Sequence, residues 1–238
     1  MKAVILAAGK GTRMKELTKT TPKPMVYINN KPILEYIIRF IQNAGITDIG
    51  IVVGYKQSIV QDYFKDGSLF DVSITYIEQN VQNGTGAALH LAKYFASDEP
   101  FFFSFGDVLT PKENYTGMFD YYEKASCNFL LGLNIVDDPY RGAAVYLDDD
   151  NNIVRMIEKP PKGTSTTNLN NAGIMVLSND IFEYTSRLKL SARGEYELTD
   201  VFSMLRDDGR NLKGYPLSGY WKDIGTPEDL KAINELFA

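Results

Sequence analysis

Short apolar runs, each closed by a glycine or a polar turn, punctuate the first half of this chain. Ala3 to Leu6, Ile49 to Val53, Val72 to Ile77 and Phe101 to Phe105 are dense in Ile, Val and Phe, the pattern of strands covered on both faces in a parallel sheet. Between them the apolar period changes. Ile33, Ile37, Ile38 and Ile41 share one helical stripe, and Ala87, Leu91 and Ala92 share another, so each stripe can pack on the sheet. Strand alternating with helix to about residue 126 predicts βαβ units with right-handed crossovers, hence a doubly wound, mostly parallel, Rossmann-like α/β sheet.

After Cys127 the texture changes. Phe129 to Val136, Ala143 to Leu147, Ile153 to Ile157 and Ala172 to Leu177 are separated by short connections, which predicts a smaller antiparallel part. The run DDDNN at 148 to 152 suits a hairpin turn, because Asp and Asn bond their own backbone locally. Glu197 to Leu205 and Pro227 to Phe237 read as helices, the second opening on Thr226 as cap and Pro227 in the first turn. No repeat, low-complexity tract or linker interrupts the chain. Residues 1–238 are therefore expected to form a single domain of two parts, 1–126 and 127–238.

Composition narrows the partners. The chain has 238 residues, 44% of them hydrophobic, and a net charge of −5. It can bury a substantial core, and it lacks the basic field that holds nucleic acid or an anionic membrane. An anionic substrate would need locally placed cations. The single cysteine, Cys127, excludes an internal disulfide and a thiolate-only metal site, and fits a reducing cytoplasm. MKAVILAAG runs straight into glycines and charges, so it reads as a strand rather than a secretory leader. No run reaches the roughly 18 apolar residues of a membrane span.

The candidate chemistry lies at strand ends, where open α/β sheets gather their ligands. AAGKGTRM follows the first strand, and its small residues let backbone N–H groups approach phosphate oxygens beside the permanent charge of Arg13. A dinucleotide fingerprint would require a third glycine where Met14 stands, and the spacing of a P-loop is absent. A connecting turn remains open at this point. TTPKPM holds Lys23 between prolines, FGDV ends a strand on Asp107, and WKDIGTPEDL places Asp223 ahead of a helix. Singly, each aspartate could be a turn or cap residue; together with the loop they suit a hard cation and a polyphosphate. His90, the only histidine, falls within a predicted helix and is expected to be structural.

AAGKGTRM with TTPKPM, the FGDV aspartate, IEKP at 157 to 160, NAGIMVL at 171 to 177, GEYELTDVF at 194 to 202 and WKDIGTPEDL resembles the sugar-1-phosphate nucleotidyltransferases, in order and over nearly the whole chain. The resemblance implies a nucleotidyltransferase sheet with a sugar-binding antiparallel part, a nucleoside triphosphate and a sugar 1-phosphate as substrates, and pyrophosphate as a product. Catalysis in such enzymes is mostly positioning and charge neutralisation. It further implies that Ala8, Gly9, Gly11, Thr12 and Arg13 hold the triphosphate, and that Lys23 neutralises charge near the α-phosphate. Asp107 and Asp223 would hold Mg²⁺, and Lys159 would meet the sugar phosphate. Gly142, Glu158 and Asn171 correspond to sugar-pocket positions. Gln79 and Gly84, with Thr85, resemble pyrimidine-reading members and favour UTP or dTTP, although Gln82 is near enough to compete for the role of Gln79. Ala8 and the FGDV wording lean toward UTP.

Guanylyl or cytidylyl transfer to mannose 1-phosphate, phosphocholine or a similar monoester is the alternative within this resemblance. A catalytically silent sugar-nucleotide-binding subunit is the alternative outside it. Because the sequence stops shortly after WKDIGTPEDL, neither a left-handed β-helix acyltransferase domain nor extra C-terminal helices are expected. Substitution of Lys23, Asp107 or Asp223 by alanine is expected to lower turnover strongly with little loss of folding, since all three sit on loop ends.

Overall fold

A computed structural model describes residues 1–237. The alternation of β1 (Lys2–Ala7) sets its layers. Ala3, Ile5 and Ala7 enter one core with Ile33, Ile37, Ile38 and Ile41 of the helix Ile33–Asn43. Val4 and Leu6 enter another with Ala88, Leu89 and Phe202. A strand apolar on both faces needs a layer on each, which is the doubly wound arrangement expected.

A two-residue hairpin, β2 (Tyr27–Ile28) and β3 (Lys31–Pro32), follows β1. β4 (Asp48–Val53), β5 (Ser73–Glu78) and β6 (Phe101–Phe105) then join β1 in the parallel order β6-β1-β4-β5. The short β7 (Val108–Leu109) lies just beyond β6. The second half adds β8 (Phe129–Ile135), β9 (Ala143–Leu147), β10 (Ile153–Glu158), β11 (Leu169–Leu177), β12 (Leu212–Pro216) and β13 (Lys222–Asp223). β11 lies antiparallel to β6, so the antiparallel strands continue one nine-stranded sheet rather than forming a separate layer. β13 pairs β7 outside that sheet.

The turn at 148 to 152 is as expected. The Asp148 carboxylate accepts from the Asp150 and Asn152 N–H groups at 3.0 and 2.8 Å, closing the antiparallel pair β9 and β10. The helix Pro227–Leu236 opens on a capping box between Thr226 and Asp229.

Two expectations shift. β11 begins at Leu169 rather than Ala172, because its first residues pair with the far end of β8 before a bulge between Asn171 and Met175. The helix Thr85–Leu91 buries Ala88 and Leu89, with Ala92 beyond it, and leaves Leu91 42% exposed. The expected stripe thus holds at Ala92, which joins the core, and fails at Leu91, with Ala88 and Leu89 forming the rest of the buried face. Gly84 and Gly86 lie against the Tyr196 backbone, and that tertiary contact, invisible to periodicity, sets the roll of the helix.

Glu35 is 3% exposed and accepts from Arg39 Nε at 2.7 Å and the Tyr63 hydroxyl at 2.6 Å. Burial alone would raise its pKa, but these hydrogen bonds and the Arg39 and Lys31 charges outweigh it and hold the carboxyl below its ordinary 4.5. Its contribution is thus present above that value and is lost as pH falls through the lowered pKa. Glu35→Gln is expected to cost about 1.5–3 kcal/mol at neutral pH, a difference that closes under acid conditions. Urea unfolding at neutral pH and well below 4.5 checks it.

Candidate active site

The glycine loop leaves β1 and enters a short turn at Thr12–Met14. Gly11 has φ +62°, and a methyl group there would stand 2.7 Å from Lys23 Cβ. Both backbone and packing therefore call for glycine. Gly9 has nothing within 4 Å, so no neighbour in the chain demands a glycine there. Its bareness instead keeps open a cavity of about 420 Å³ lined by Ala8, Gly9, Gly11, Thr12, Gln79 and Gly84, among others.

On the far wall of this cavity Gln79 is 5% exposed. Its Nε2 donates to the Gly84 carbonyl at 3.4 Å, so the amide and the glycine backbone meet on one edge. Gln82 Nε2 donates to the Gln79 carbonyl at 3.2 Å and is thereby engaged in supporting the loop. Gly84 has φ +122°, and any side chain would run into the Tyr196 backbone. The Thr85 hydroxyl accepts from the Leu198 N–H at 3.1 Å, tying this loop to the second half of the chain.

The charged centre differs from a set of exposed loop ends. Lys23 is 7% exposed, in a turn framed by Pro22 and Pro24. Its Nζ donates to Asp107 Oδ2, and to Asp223 Oδ1 at 3.3 Å. The carboxylates meet because β7 and β13 pair antiparallel, Asp223 opposite Val108, and the Ile224 N–H donates to the Asp107 carbonyl at 3.0 Å. Burial alone would lower the Lys23 pKa, but the charges of Asp107 and Asp223 outweigh it and raise it above its usual value. Burial, and then the Asp107 charge, push Asp223 above the ordinary carboxylate value despite Lys23 and Arg13. Lys23 is thus buried rather than merely placed at a loop end, and its ammonium depends on the two aspartates for its compensation.

Arg13 reaches Asp223 Oδ2 at 3.9 Å and lies against Gly225, where a methyl group would stand 3.2 Å from the guanidinium carbon. Gly106 likewise lets Leu6 approach, its place for a methyl being 2.9 Å from the Leu6 carbonyl oxygen. Reading the sequence missed both glycines as site residues, although each lies within two positions of a candidate aspartate.

Among the described residues, no group of three or more His, Cys, Asp and Glu gathers as a metal cage. Two convergent carboxylates nevertheless fit Mg²⁺, which is commonly held by one or two carboxylates plus water and substrate phosphates.

A second cavity, of about 450 Å³, adjoins the first and shares Arg13, Thr85, Phe105, Asp107 and Glu195 with it. It is lined by Gly142, Glu158, Lys159, Asn171 and Asp223, so every predicted site residue borders one cavity or the other. Glu158 Oε2 accepts from the Thr199 hydroxyl at 2.7 Å, while Oε1 lies 3.7 Å from Lys159 Nζ and 3.9 Å from Arg193. Burial raises the Glu158 pKa and outweighs the lowering effects of Thr199 and Arg193. Lys159 has φ +42°, costing of order 1–3 kcal/mol for a residue with a side chain. Its N–H donates to the Gly142 carbonyl at 2.7 Å. Asn171 Oδ1 accepts from the Gly173 N–H at 3.1 Å within the bulge of β11.

Arg193, Thr199 and Trp221 also line this cavity, and reading the sequence assigned none of them. Arg193 had a legible signal, lying next to GEYELTDVF; Thr199 and Trp221 lay inside quoted motifs without a feature separating them from packing residues. His90 borders neither cavity. Its Nδ1 lies 2.8 Å from Thr185 Oγ1 and its ring packs on Phe182, with its pKa lowered by burial and then by Lys93.

Comparison with known proteins adds an independent observation. Residues 2–238 match the family model described as nucleotidyl transferase. The chain is 36% identical over 237 residues to the low-salt glycan biosynthesis nucleotidyltransferase Agl11 of Haloferax volcanii, covering 99% of this chain and 66% of that protein. It is 42% identical over 237 residues to the bifunctional protein GlmU of Methanococcus maripaludis, covering 100% of this chain and 54% of that protein. A solved UDP-glucose pyrophosphorylase complexed with UDP-glucose superposes with a TM-score of 0.89 at 25% identity, covering 99% of this chain and 97% of that one. The chain thus spans between 54% and 66% of the length of these two curated relatives.

Proposed function

This chain belongs to the nucleotidyl transferase family, and from that premise we propose that it transfers a nucleotidyl group from UTP or dTTP to a sugar 1-phosphate, releasing pyrophosphate. The observation that carries the proposal is the meeting of two cavities at Arg13 and Asp107, with Lys23, Asp107 and Asp223 gathered at the junction. Residues 1–126 supply most of the nucleotide side and 127–238 most of the sugar-phosphate side.

In the proposed reaction a sugar-phosphate oxygen attacks the α-phosphorus in line, and the bond to pyrophosphate breaks. Little proton transfer is needed, so the chain's task is to align two anions and offset their charge. Gly9 and Gly11 open the loop to the triphosphate, and Arg13 neutralises the departing pyrophosphate. Lys23 stands beside the α-phosphate while holding both aspartates in place. Mg²⁺, held by Asp107 and Asp223, supplies further charge neutralisation when bound. Lys159 and Arg193 receive the sugar phosphate, and Gly142, Glu158 and Asn171 face the sugar hydroxyls, where an amide and a carboxylate can donate and accept.

Base choice rests on Gln79 and Gly84. A buried amide held against a carbonyl offers both a donor and acceptors to a pyrimidine edge. Gln79→Leu is expected to weaken pyrimidine nucleotide binding by about tenfold or more, since a buried base edge would lose its partner; the KM of each nucleotide measures it. The overall reading is tested with a matrix of nucleoside triphosphates against sugar 1-phosphates in the presence of Mg²⁺, scored by pyrophosphate release. Turnover with UTP or dTTP supports it, nucleotide binding without release would favour a silent binding subunit, and preferred use of GTP or CTP would overturn the base assignment.

A further inference from the structure

We propose that Asn114 is a positioning residue for the Asp107 and Asp223 pair, setting the register of the strand that carries Asp223. This deepens the metal-site reading above and rests on it.

Asn114 lies in the first turn of the helix Lys112–Lys124 and is 1% exposed. Its amide has two donors and two acceptor positions, and all four are used. Nδ2 donates to Thr110 Oγ1 at 2.6 Å and to the Ser218 carbonyl at 2.8 Å. Oδ1 accepts from the Ser218 N–H at 3.0 Å and the Ser218 hydroxyl at 3.2 Å. Thr110, itself fully buried, extends the network by donating to the Tyr220 carbonyl at 3.0 Å. Asn114 on the helix and Thr110 just ahead of it thus grip the backbone at Ser218 and Tyr220, which leads directly into Trp221, Lys222 and Asp223.

That grip matters because the pairing it precedes is minimal. β7 and β13 meet over two residue pairs, Lys222 with Leu109 and Asp223 with Val108, and a ladder so short is marginal by itself. A slip of one residue would turn Asp223 to the opposite face, away from Lys23 and Asp107. The Asn114 neighbours Tyr115 and Met118 are fully buried in an apolar core, where an unbonded amide would be costly. A fully bonded one adds a directional constraint on that register, beside the burial of Ile224 and the hydrogen bond from Trp221 Nε1 to the Ala172 carbonyl at 2.9 Å. Asn114 touches neither carboxylate, so it acts through the backbone of residues 218–223.

The test uses the full chain with Asn114→Leu, similar in shape, and Thr110→Val, nearly isosteric and a safeguard should the first variant fail to fold. Amide hydrogen exchange at Ile224, whose N–H bonds the Asp107 carbonyl, is expected to quicken about tenfold or more in either variant, while the amides of β1 and β4 keep their protection. The Mg²⁺ concentration for half-maximal rate is expected to rise about 10–100-fold, with the KM for sugar 1-phosphate unchanged, and Mn²⁺ titration without turnover should show the same loss of affinity. Wild-type protection at Ile224 in a folded variant would overturn the proposal, and so would faster exchange with an unchanged metal requirement. If the wild type needs no metal, the reading of Asp107 and Asp223 as ligands falls, while exchange at Ile224 still decides whether Asn114 sets their register.

Discussion

Asp223→Asn is expected to lower kcat/KM for pyrophosphate release by about 10²–10³-fold, and Asp107→Asn by a similar factor, because each removes a fixed charge from the point where the two cavities meet. The amide keeps the size of the side chain, so the loss would report charge rather than shape. Stability separates two accounts of the same residues. Lys23 is nearly buried and bonds both carboxylates, so each single variant leaves it one partner. The double variant leaves a buried ammonium uncompensated, at a cost of about 3–5 kcal/mol. Adding Lys23→Met to the double variant should recover much of that stability while leaving the protein inactive. Thermal unfolding of the four proteins, set beside their pyrophosphate release, makes the comparison. Near-normal turnover in either single variant would remove the aspartates from the reaction, and failure of Lys23→Met to restore stability would contradict the buried ion pair.

The second large effect contrasts two glycines. Gly84→Ala must place a methyl group into the Tyr196 backbone at φ +122°. It is expected to cost at least about 1–3 kcal/mol from backbone conformation alone and to displace the carbonyl that Gln79 meets. Gly9→Ala has open space on all sides and no unusual φ, so its unfolding midpoint should match wild type while its nucleotide KM rises. Stability and nucleotide binding would thus fall together at Gly84 and part company at Gly9. A Gly9→Ala protein with unchanged KM would show that the loop does not closely approach the triphosphate.

Local pattern carried much of this protein's architecture. The apolar runs, the Ile33 to Ile41 stripe, the Asp148 turn and the Thr226 cap depend on residues close in sequence, where periodicity and short-range hydrogen bonds decide the outcome. Motif order and spacing also marked many of the residues that border the two cavities, though not Gly106, Arg193, Thr199 or Trp221. What local pattern could not contain is any relation between distant segments. The burial of Lys23 between Asp107 and Asp223, Arg13 lying on Gly225, the phase of the helix after Gly84 and the Asn114 network all join residues far apart in the chain. Their energies come from desolvation and from hydrogen bonds made only once the sheet has assembled. By itself the sequence determined which charges the protein has and which strand ends bear them. Only the tertiary structure decided which of those charges lose their water and face one another, because burial and distance are properties of the folded chain.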